Sequence, residues 1–351
     1  MRKIVFTLAL IGMTAAPVLA QEATPEAEPP MMPPAVELEN VVIDGLNSPR
    51  GIAFDEAGNL YIAEGGSGGD KVVAEFDGMQ ATAGLTSQVT VLAADGTVSV
   101  AVPNLISGAA GPEALGAYRA VPVGGSLWLV ISEQQGMTVL SDAVIEIDLA
   151  TGRIKNFIDQ FAYEAANNPD GTEEIYSNPS DVEQGPDGRM WIVNTGMNTL
   201  LTWAPDEGLQ THHAWTDDPV PTSVDFGSDG SIYIGFLGTG IAPGMGHVER
   251  WSAEGELLFT YEGLTAVTDI LVTEDDTLYA VQLISEFGEQ GPVFNSGSIV
   301  QLTEDAVTPI AEGLPQPFGL AQNAEGNLLV SVNTAFAAPG SGAVVEIVLG
   351  E

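Results

Sequence analysis

The chain has 351 residues, no cysteine, and 48 acidic side chains against nine basic ones, which gives a formal net charge of −39 at neutral pH. The lack of cysteine excludes disulfide bonds, thiolate metal sites and cysteine nucleophiles. Nucleic acids and anionic membranes bind clusters of Lys and Arg, so the excess of acid argues against both classes of partner. We therefore expect no nucleic-acid partner.

The amino-terminal segment has the pattern of an export signal. Residues 1–20 read MRKIVFTLALIGMTAAPVLA, with a basic start, a short apolar stretch and small residues before a cleavage point. Residues 21–36 are acidic and rich in proline, which predicts an extended spacer. Cleavage leaves seven basic and 48 acidic residues, a charge of −41. We expect a secreted or periplasmic protein with no transmembrane segment in the mature chain; a retained N-terminal anchor is the alternative.

Residues 37–351 repeat one pattern six times. Each copy has a proline or small residue, an apolar strand, a tight turn with Gly or Asp, and a second aliphatic or aromatic strand. The copies span 48–64, 111–132, 178–194, 220–236, 266–282 and 316–332. A second strand pair follows five of the copies, which is typical of four-stranded propeller blades.

The two ends of this repeat region complement each other. The sixth copy is followed by one strand, at 343–351, and the segment LENVVIDGL at 38–46 has the form of a missing outer strand. We predict a single all-β domain, a six-bladed β-propeller whose last blade is closed by this N-terminal strand, which removes two exposed sheet edges. An open β-sandwich or a β-solenoid is the alternative, but neither predicts a complementary half-unit at each end.

Long connections occur between the predicted second and third strands of five blades, whereas the turns within strand pairs are tight. A further long segment, 159–180, precedes the third blade. Both kinds of connection lie at one end of a propeller, so we expect function there. The glycine-rich GGSGGD at 65–70 precedes a loop and a strand rather than a helix, which argues against a phosphate cradle.

Three stretches of the sequence resemble the ScyD/ScyE family, exported proteins associated with biosynthesis of the pigment scytonemin. They are LNSPRGIAFDEAGNLYIAEGGSGGD, SGAAGPEALGAYRAVPVGGSLWLVISE and FAYEAANNPDGTEEIYSNPSDVEQGPDGRMWIVNTGMNTLL. The last stretch also resembles the NHL repeat. The resemblance covers nearly all of the mature chain and implies a secreted NHL-like propeller, without implying a reaction or a pathway.

Polar residues at the starts of the first strands and the ends of the second strands, together with Asp70 in the glycine-rich loop, are the candidates for a ligand-binding rim. They are Arg50, Glu64, Asp70, Glu113, Asp181, Asn194, Asp269 and Gln282. The leading hypothesis is a monomeric binding platform for a small molecule or an extracytoplasmic protein. We assign no catalytic residue.

The alternative hypothesis is a metal-dependent hydrolase or lactonase of the gluconolactonase-like propeller type. Glu113, Asp181 and Asp269 would then hold Ca²⁺ or another divalent cation at the channel mouth, with Arg50 as a lone cation beside them. Positions where such propellers carry Asn or Asp are here occupied by Ser180, Thr222 and Thr268. A structural interpretation is that Asp181 and Asp269 accept backbone hydrogen bonds at blade junctions.

Two further segments carry weaker signals. His212 and His213 are adjacent on a predicted outer strand, where alternation points neighbouring side chains to opposite faces and prevents both from binding one metal unless the strand bends. The segment NNPDGTEE at 167–174 is rich in oxygen ligands for Ca²⁺ but lacks the spacing of an EF-hand. The interpretation that we favour for this segment is a turn held by Asx hydrogen bonds.

Overall fold

The computed structural model describes residues 35–76, 79–111, 113–132, 140–289 and 291–350. The predicted signal sequence, and the predicted spacer as far as residue 34, lie outside the described residues. The regular secondary structure of the described part is almost entirely antiparallel β-strand, as the sequence predicts.

The elements follow the predicted strand pairs. In chain order, the strands up to residue 214 are β1 (Val41–Leu46), β2 (Pro49–Phe54), β3 (Leu60–Glu64), β4 (Lys71–Phe76), β5 (Met79–Leu92), β6 (Val98–Ala110), β7 (Glu113–Leu115), β8 (Ala117–Val123), β9 (Ser126–Ile131), β10 (Ala143–Asp148), β11 (Ile154–Asp159), β12 (Pro179–Gln184), β13 (Met190–Asn194), β14 (Thr199–Ala204) and β15 (Gly208–Ala214). The later strands are β16 (Pro221–Phe226), β17 (Ile232–Phe236), β18 (Gly246–Trp251), β19 (Leu257–Leu264), β20 (Val267–Val272), β21 (Leu278–Gln282), β22 (Phe287–Gly288), β23 (Gly291–Pro292), β24 (Gly297–Thr303), β25 (Ala306–Leu314), β26 (Leu320–Gln322), β27 (Leu328–Val332) and β28 (Gly342–Ile347). The helices among the described residues are α1 (Gln160–Asn167) and a 3₁₀ helix (Thr239–Ile241).

Six of the sheets formed by the described residues have four or more strands, and we number them by their first strands. Sheet 1 contains β2, β3, β5, β6 and β7, with β4 paired to β5; sheets 2 to 4 contain β8–β11, β12–β15 and β16–β19; sheet 5 contains β20, β21, β24 and β25; and sheet 6 contains β26, β27, β28 and β1. The strands β22 and β23 form a separate hairpin.

The first strands of these sheets contact one another around a closed ring. β2 contacts β8, and the contacts continue through β12, β16, β20 and β26 back to β2. Hydrophobic clusters fill the spaces between neighbouring sheets in the same cyclic order. Alternation along β9 serves both neighbours, because Leu127 and Leu129 pack toward sheet 1 while Trp128 and Val130 pack toward sheet 3. The arrangement is that of a β-propeller.

The N-terminal strand β1 pairs with the last strand, β28, in the manner that the sequence indicates. Val41 lies opposite Val345, and Leu46 lies opposite Gly342. Ile43 and Leu46 are buried in the cluster that joins sheet 6 to sheet 1, where they pack with Ile52 and other aliphatic side chains. Residues from both ends of the described chain therefore share one piece of core.

Three local predictions differ from the structure. The connection 65–87 is not a loop throughout, because β4 and the long strand β5 form a hairpin within it. The segment 159–180 includes helix α1, which begins at an Asp159 N-cap whose side chain accepts a hydrogen bond from the Ala162 N–H. Glu113 does not begin the first strand of sheet 2: Glu113 pairs with Ala110 in sheet 1, and β8 starts at Ala117.

The packing of β1 gives a testable prediction. We expect Leu46→Ala to lower the free energy of unfolding by about 2–4 kcal/mol, because it removes a side chain that is 4% exposed from the cluster between sheets 6 and 1. Val42→Ala, on the exposed side of the same strand, should change it by less than about 0.5 kcal/mol. Urea unfolding measures both, and equal effects would contradict the role of β1 in closing the ring.

Candidate functional site

Arg119, on β8, is buried where the first strands meet. Its Nε lies 3.1 Å from Asp181 Oδ1, and its Nη1 lies 3.1 Å from Asp269 Oδ2. Nη1 also donates to the Ile52 carbonyl at 3.2 Å, and Nη2 lies 3.7 Å from Glu183 Oε2. Because sheet 2, which carries Arg119, and sheet 5, which carries Asp269, are opposite in the ring, this contact crosses its axis. We call Arg119, Asp181, Glu183, Asp225 and Asp269 the axial cluster.

The same carboxylates join neighbouring sheets through backbone hydrogen bonds. The Val224 N–H donates to Asp181 at 2.9 Å, and the Leu320 N–H donates to Asp269 at 2.9 Å. Asp225 repeats the pattern by accepting from the Val272 N–H at 2.7 Å. The sequence analysis gave one structural interpretation of Asp181 and Asp269, that they accept backbone hydrogen bonds where neighbouring sheets meet. These contacts confirm it.

Equivalent register positions explain how the axial cluster forms. Arg119, Asp181, Ser223 and Asp269 each lie opposite the penultimate residue of the second strand of their sheet. Gly51 in sheet 1 leaves the space that Arg119 fills, since a Cβ on Gly51 would lie 2.5 Å from Arg119 Cδ. A short side chain at that position would displace the guanidinium.

One cation faces four carboxyl groups in the axial cluster, and the protonation of the acids reflects this. Burial raises the pKa of Asp225 to about 6 and that of Asp269 to about 7, although hydrogen bonds and Arg119 oppose the change. Burial also raises the pKa of Asp181 and of Glu183, but the Glu183 side chain is 28% exposed, so water offsets part of its desolvation. Burial by itself would lower the pKa of Arg119, but Asp181 and Asp269 hold it above its usual value.

Arg50 makes an ion pair of its own, outside the axial cluster, with Glu113 of the same sheet. Its Nη2 lies 2.5 Å from Glu113 Oε1 and donates to the Ala114 carbonyl at 3.0 Å. The guanidinium carbon lies 5.6 Å from the centre of the Tyr118 ring and 5.1 Å from that of Phe318. The sequence suggested that Arg50 is the cation beside Asp181 and Asp269, and this prediction is wrong. That cation is Arg119.

Glu64, Asn194 and Gln282 end the second strands of sheets 1, 3 and 5, as the repeat predicts, but they are buried. Each accepts a backbone N–H from the segment before the first strand of its own sheet. The donors are Asn47, Asn178 and Thr265, at 2.7, 2.9 and 2.7 Å. These side chains brace the connecting segments. Asp70 is exposed beside the start of β4.

The predicted metal ligands do not form an open oxygen site at the mouth of the ring. Glu113 is paired with Arg50, whereas Asp181 and Asp269 share Arg119. Within the described residues, no group of three or more His, Cys, Asp or Glu side chains is placed to hold a metal ion. The donor set of the alternative hypothesis is thus engaged by arginine, and it does not fit a divalent cation.

Arg119 is the residue that sequence reasoning missed. Asp181 and Asp269 each precede the turn residue of their sheet, Gly188 or Asp276, by seven positions. The hairpin of sheet 2 is one residue shorter between the equivalent positions, since Arg119 lies opposite Val130 whereas Asp181 lies opposite Val193, and counting back six from Gly125 therefore reaches Arg119. Aligning the repeats on their turns, with one residue fewer allowed in this hairpin, would have identified Arg119.

The adjacent histidines pack against aromatic rings. His212 lies 4.5 Å from Trp191, and His213 lies 4.6 Å from both Trp215 and Trp251, measured between ring centres. The pairing register shifts at this point of β15, so the regular alternation assumed from the sequence does not hold. Burial lowers the pKa of both histidines. Their position indicates neutral packing groups.

The fold is shared with solved structures that have several different names. A gluconolactonase from Xanthomonas campestris is 12% identical, with a TM-score of 0.55 over 87% of this chain and 88% of that one. The calcium-binding protein regucalcin from Agrobacterium tumefaciens is 13% identical, with a TM-score of 0.54 over 88% and 93%. A streptogramin B lyase is 14% identical, with a TM-score of 0.50 over 88% and 96%. At these identities the likeness shows the propeller fold alone.

No family model matches the chain, and no curated protein matches it. Among the helices of the described residues, none is long and apolar enough to span a membrane.

The axial cluster predicts that replacing Arg119 lowers the free energy of unfolding by an amount that depends on pH. The native acids bind protons at higher pH than in the unfolded chain, so their contribution to stability falls as the pH rises from about 4 to about 7. We expect Arg119→Met to lower the free energy of unfolding by about 3–5 kcal/mol near pH 8, because the carboxylates lose their counter-charge, and by less near pH 5.

The control is Arg189→Met, which removes an exposed arginine that lies 3.0 Å from Glu207. Its effect should stay below about 1 kcal/mol at both pH values. Urea unfolding at each pH measures the two variants, and a pH-independent loss for Arg119→Met would show that the cation does not balance the acids.

Proposed function

We propose that the chain is a six-bladed β-propeller that serves as a rigid binding platform for a small molecule or an extracytoplasmic protein. Each numbered sheet is one blade in this proposal, and β1 closes the last blade. The binding surface is the loop face, which we define as the end that carries the connections between second and third strands together with the segment 160–178.

The observation that carries this proposal is that the polar side chains near the ring axis are committed to internal contacts. Arg119 is shared by Asp181 and Asp269, and Arg50 is paired with Glu113. Groups held in this way fix the positions of the sheets and are poor candidates for attacking or activating a substrate. The contacts near the ring axis therefore support a rigid scaffold better than they support a catalytic site.

The loop face supplies the structural variety that binding requires. It carries the β22–β23 hairpin, the 3₁₀ helix and α1, whereas the opposite turns are short. The base of the hairpin is held by Ser296, whose Oγ accepts from the N–H groups of Ser285 and Glu286 at 3.2 and 3.1 Å. Ordered segments on a rigid scaffold lose little entropy when a partner binds.

Metal-dependent hydrolysis remains the second candidate, and the shared fold with gluconolactonase is what favours it. The fold alone does not carry a reaction, because propellers of one architecture have many activities. Export and membership of the ScyD/ScyE family are also part of the proposal, and they rest on the sequence pattern and the resemblance described above.

A hydrolysis assay separates the two candidates. We expect no metal-dependent cleavage when the mature protein is incubated with a panel of lactones and esters in the presence of Ca²⁺, Mn²⁺ or Zn²⁺, because the predicted ligands are paired with arginine. A metal-dependent rate that Glu113→Gln abolishes, while the exposed variant Glu173→Gln retains it and both melt as the wild type does, would establish the hydrolase instead.

A second experiment tests the platform directly. We expect a ligand selected from a chemical library by thermal shift to lose at least about tenfold in affinity when residues 286–293 are replaced by a short Gly-Ser linker. The matched control changes the turn at 253–256, on the opposite end, and should leave the affinity unchanged. Binding that survives the first change and is lost in the second would contradict the proposal, because it would place the binding surface at the end opposite the loop face.

A further inference from the structure

Helix α1 buries polar side chains and exposes an apolar one, which reverses the usual pattern of a surface helix. Gln160 and Glu164 have no exposed surface, whereas Phe161 is 44% exposed. The two buried residues are four positions apart and so lie on one face of the helix. Gln160 is anchored because its Oε1 accepts from Asn194 Nδ2 at 2.6 Å. The two fully buried side chains of α1 are therefore both polar.

Glu164 has no hydrogen-bond partner for either carboxylate oxygen, and both oxygens are buried. Asn168 follows one turn later and caps the helix in the left-handed conformation, with its N–H donating to the Glu164 carbonyl at 2.8 Å. Its side-chain Oδ1 is also buried without a partner, although its Nδ2 donates to the Thr172 carbonyl. Two residues four positions apart thus carry three buried acceptor oxygens without donors.

Asp170 adds a second carboxylate beside them. It is 4% exposed and accepts from the N–H and Oγ1 of Thr172 at 3.1 Å, which forms the Asx turn that the sequence allows. Burial raises the pKa of Glu164 to about 7, and the nearby charge of Asp170 adds to this effect. The two carboxylates therefore repel each other.

Hydrogen bonds within this group do not satisfy it. Gln160 Nε2 is a buried donor that itself makes no hydrogen bond, so it does not donate to any of the three acceptors. A proton on Glu164 could be donated to Asn168, yet it would leave the second Glu164 oxygen without a donor. An ion that accepts several oxygen ligands at once removes both deficits.

We propose that Glu164, Asn168 and Asp170 bind one Ca²⁺ ion that holds α1 against the body of the propeller. The ligands are oxygens alone, with carboxylate and amide groups combined, which is the chemistry that Ca²⁺ prefers over the nitrogen and sulfur ligands of Zn²⁺. Main-chain carbonyls and water would complete the coordination. The site lies on α1 and the turn after it, apart from the axial cluster, and does not depend on the identity of the platform's ligand.

The proposal is tested by calorimetric titration of the metal-free mature protein with Ca²⁺ at constant ionic strength. We expect one saturable site, a rise in melting temperature on binding, and weaker binding of Mg²⁺, which demands stricter octahedral geometry. Weak, non-saturating uptake alone would mean that the acidic surface collects ions without a built site, and would overturn the proposal.

Three variants locate the site. Glu164→Gln and Asp170→Asn should each weaken Ca²⁺ binding at least about tenfold, and Asn168→Gly, which keeps the left-handed cap but removes Oδ1, should weaken it by a smaller factor. Glu173→Gln, an exposed acid in the same segment, is the matched control and should bind as the wild type does.

The metal-free variants separate calcium binding from simple protonation. Without Ca²⁺, Glu164→Gln should melt at or above the wild-type temperature near pH 8, because it removes a buried charge that has no partner. Equal Ca²⁺ affinity in wild type and Glu164→Gln would overturn the proposal, as would a gain in melting temperature for Glu164→Gln that is the same with and without Ca²⁺.

Discussion

The guanidinium of Arg119 is shared by carboxylates from sheets 3 and 5 and by a carbonyl of sheet 1, so one buried charge links four of the six sheets. A buried ion pair adds little net stability, because desolvation offsets most of the attraction. Its effect here is on geometry, because apolar contacts between sheets are non-directional, whereas ion pairs and hydrogen bonds to one guanidinium fix the relative positions of the sheets that share it. Gly51 belongs to the same constraint, since a larger residue would occupy the space of the guanidinium.

This constraint also limits what the ring axis can do chemically. An acid that is to bind a metal or accept a proton from a substrate must have free lone pairs, whereas Asp181 and Asp269 divide theirs between Arg119 and the backbone N–H groups of the next sheets. The propeller fold is thus compatible with a reaction at its mouth, but this set of side chains is committed to holding the sheets. The carboxylate oxygens that hold the sheets together are the same oxygens that a metal ion or a substrate would need.

Periodicity was enough to predict the strand pairs, the propeller architecture and the pairing of β1 with β28, because each depends on apolar alternation and turn residues that repeat along the chain. The candidate site was predicted less well. Glu113 was assigned to the wrong sheet since residues 113–115 extend sheet 1, and this error hid Arg119. The positions of Glu64, Asn194 and Gln282 were foreseen, but whether a polar side chain faces solvent or a backbone N–H depends on loop paths that a period does not encode.

The axial cluster and helix α1 show two different ways in which this acidic chain accommodates buried carboxylates. At the axis, an arginine on a neighbouring strand and several backbone N–H groups provide compensation from within the fold. On α1, Glu164 has no such donor, and the nearby charge that raises its pKa belongs to another acid, Asp170. A chain with nine basic residues for 48 acidic ones cannot supply an arginine at every such position. A cation taken from solution, as proposed for α1, would compensate the charge without adding a basic residue.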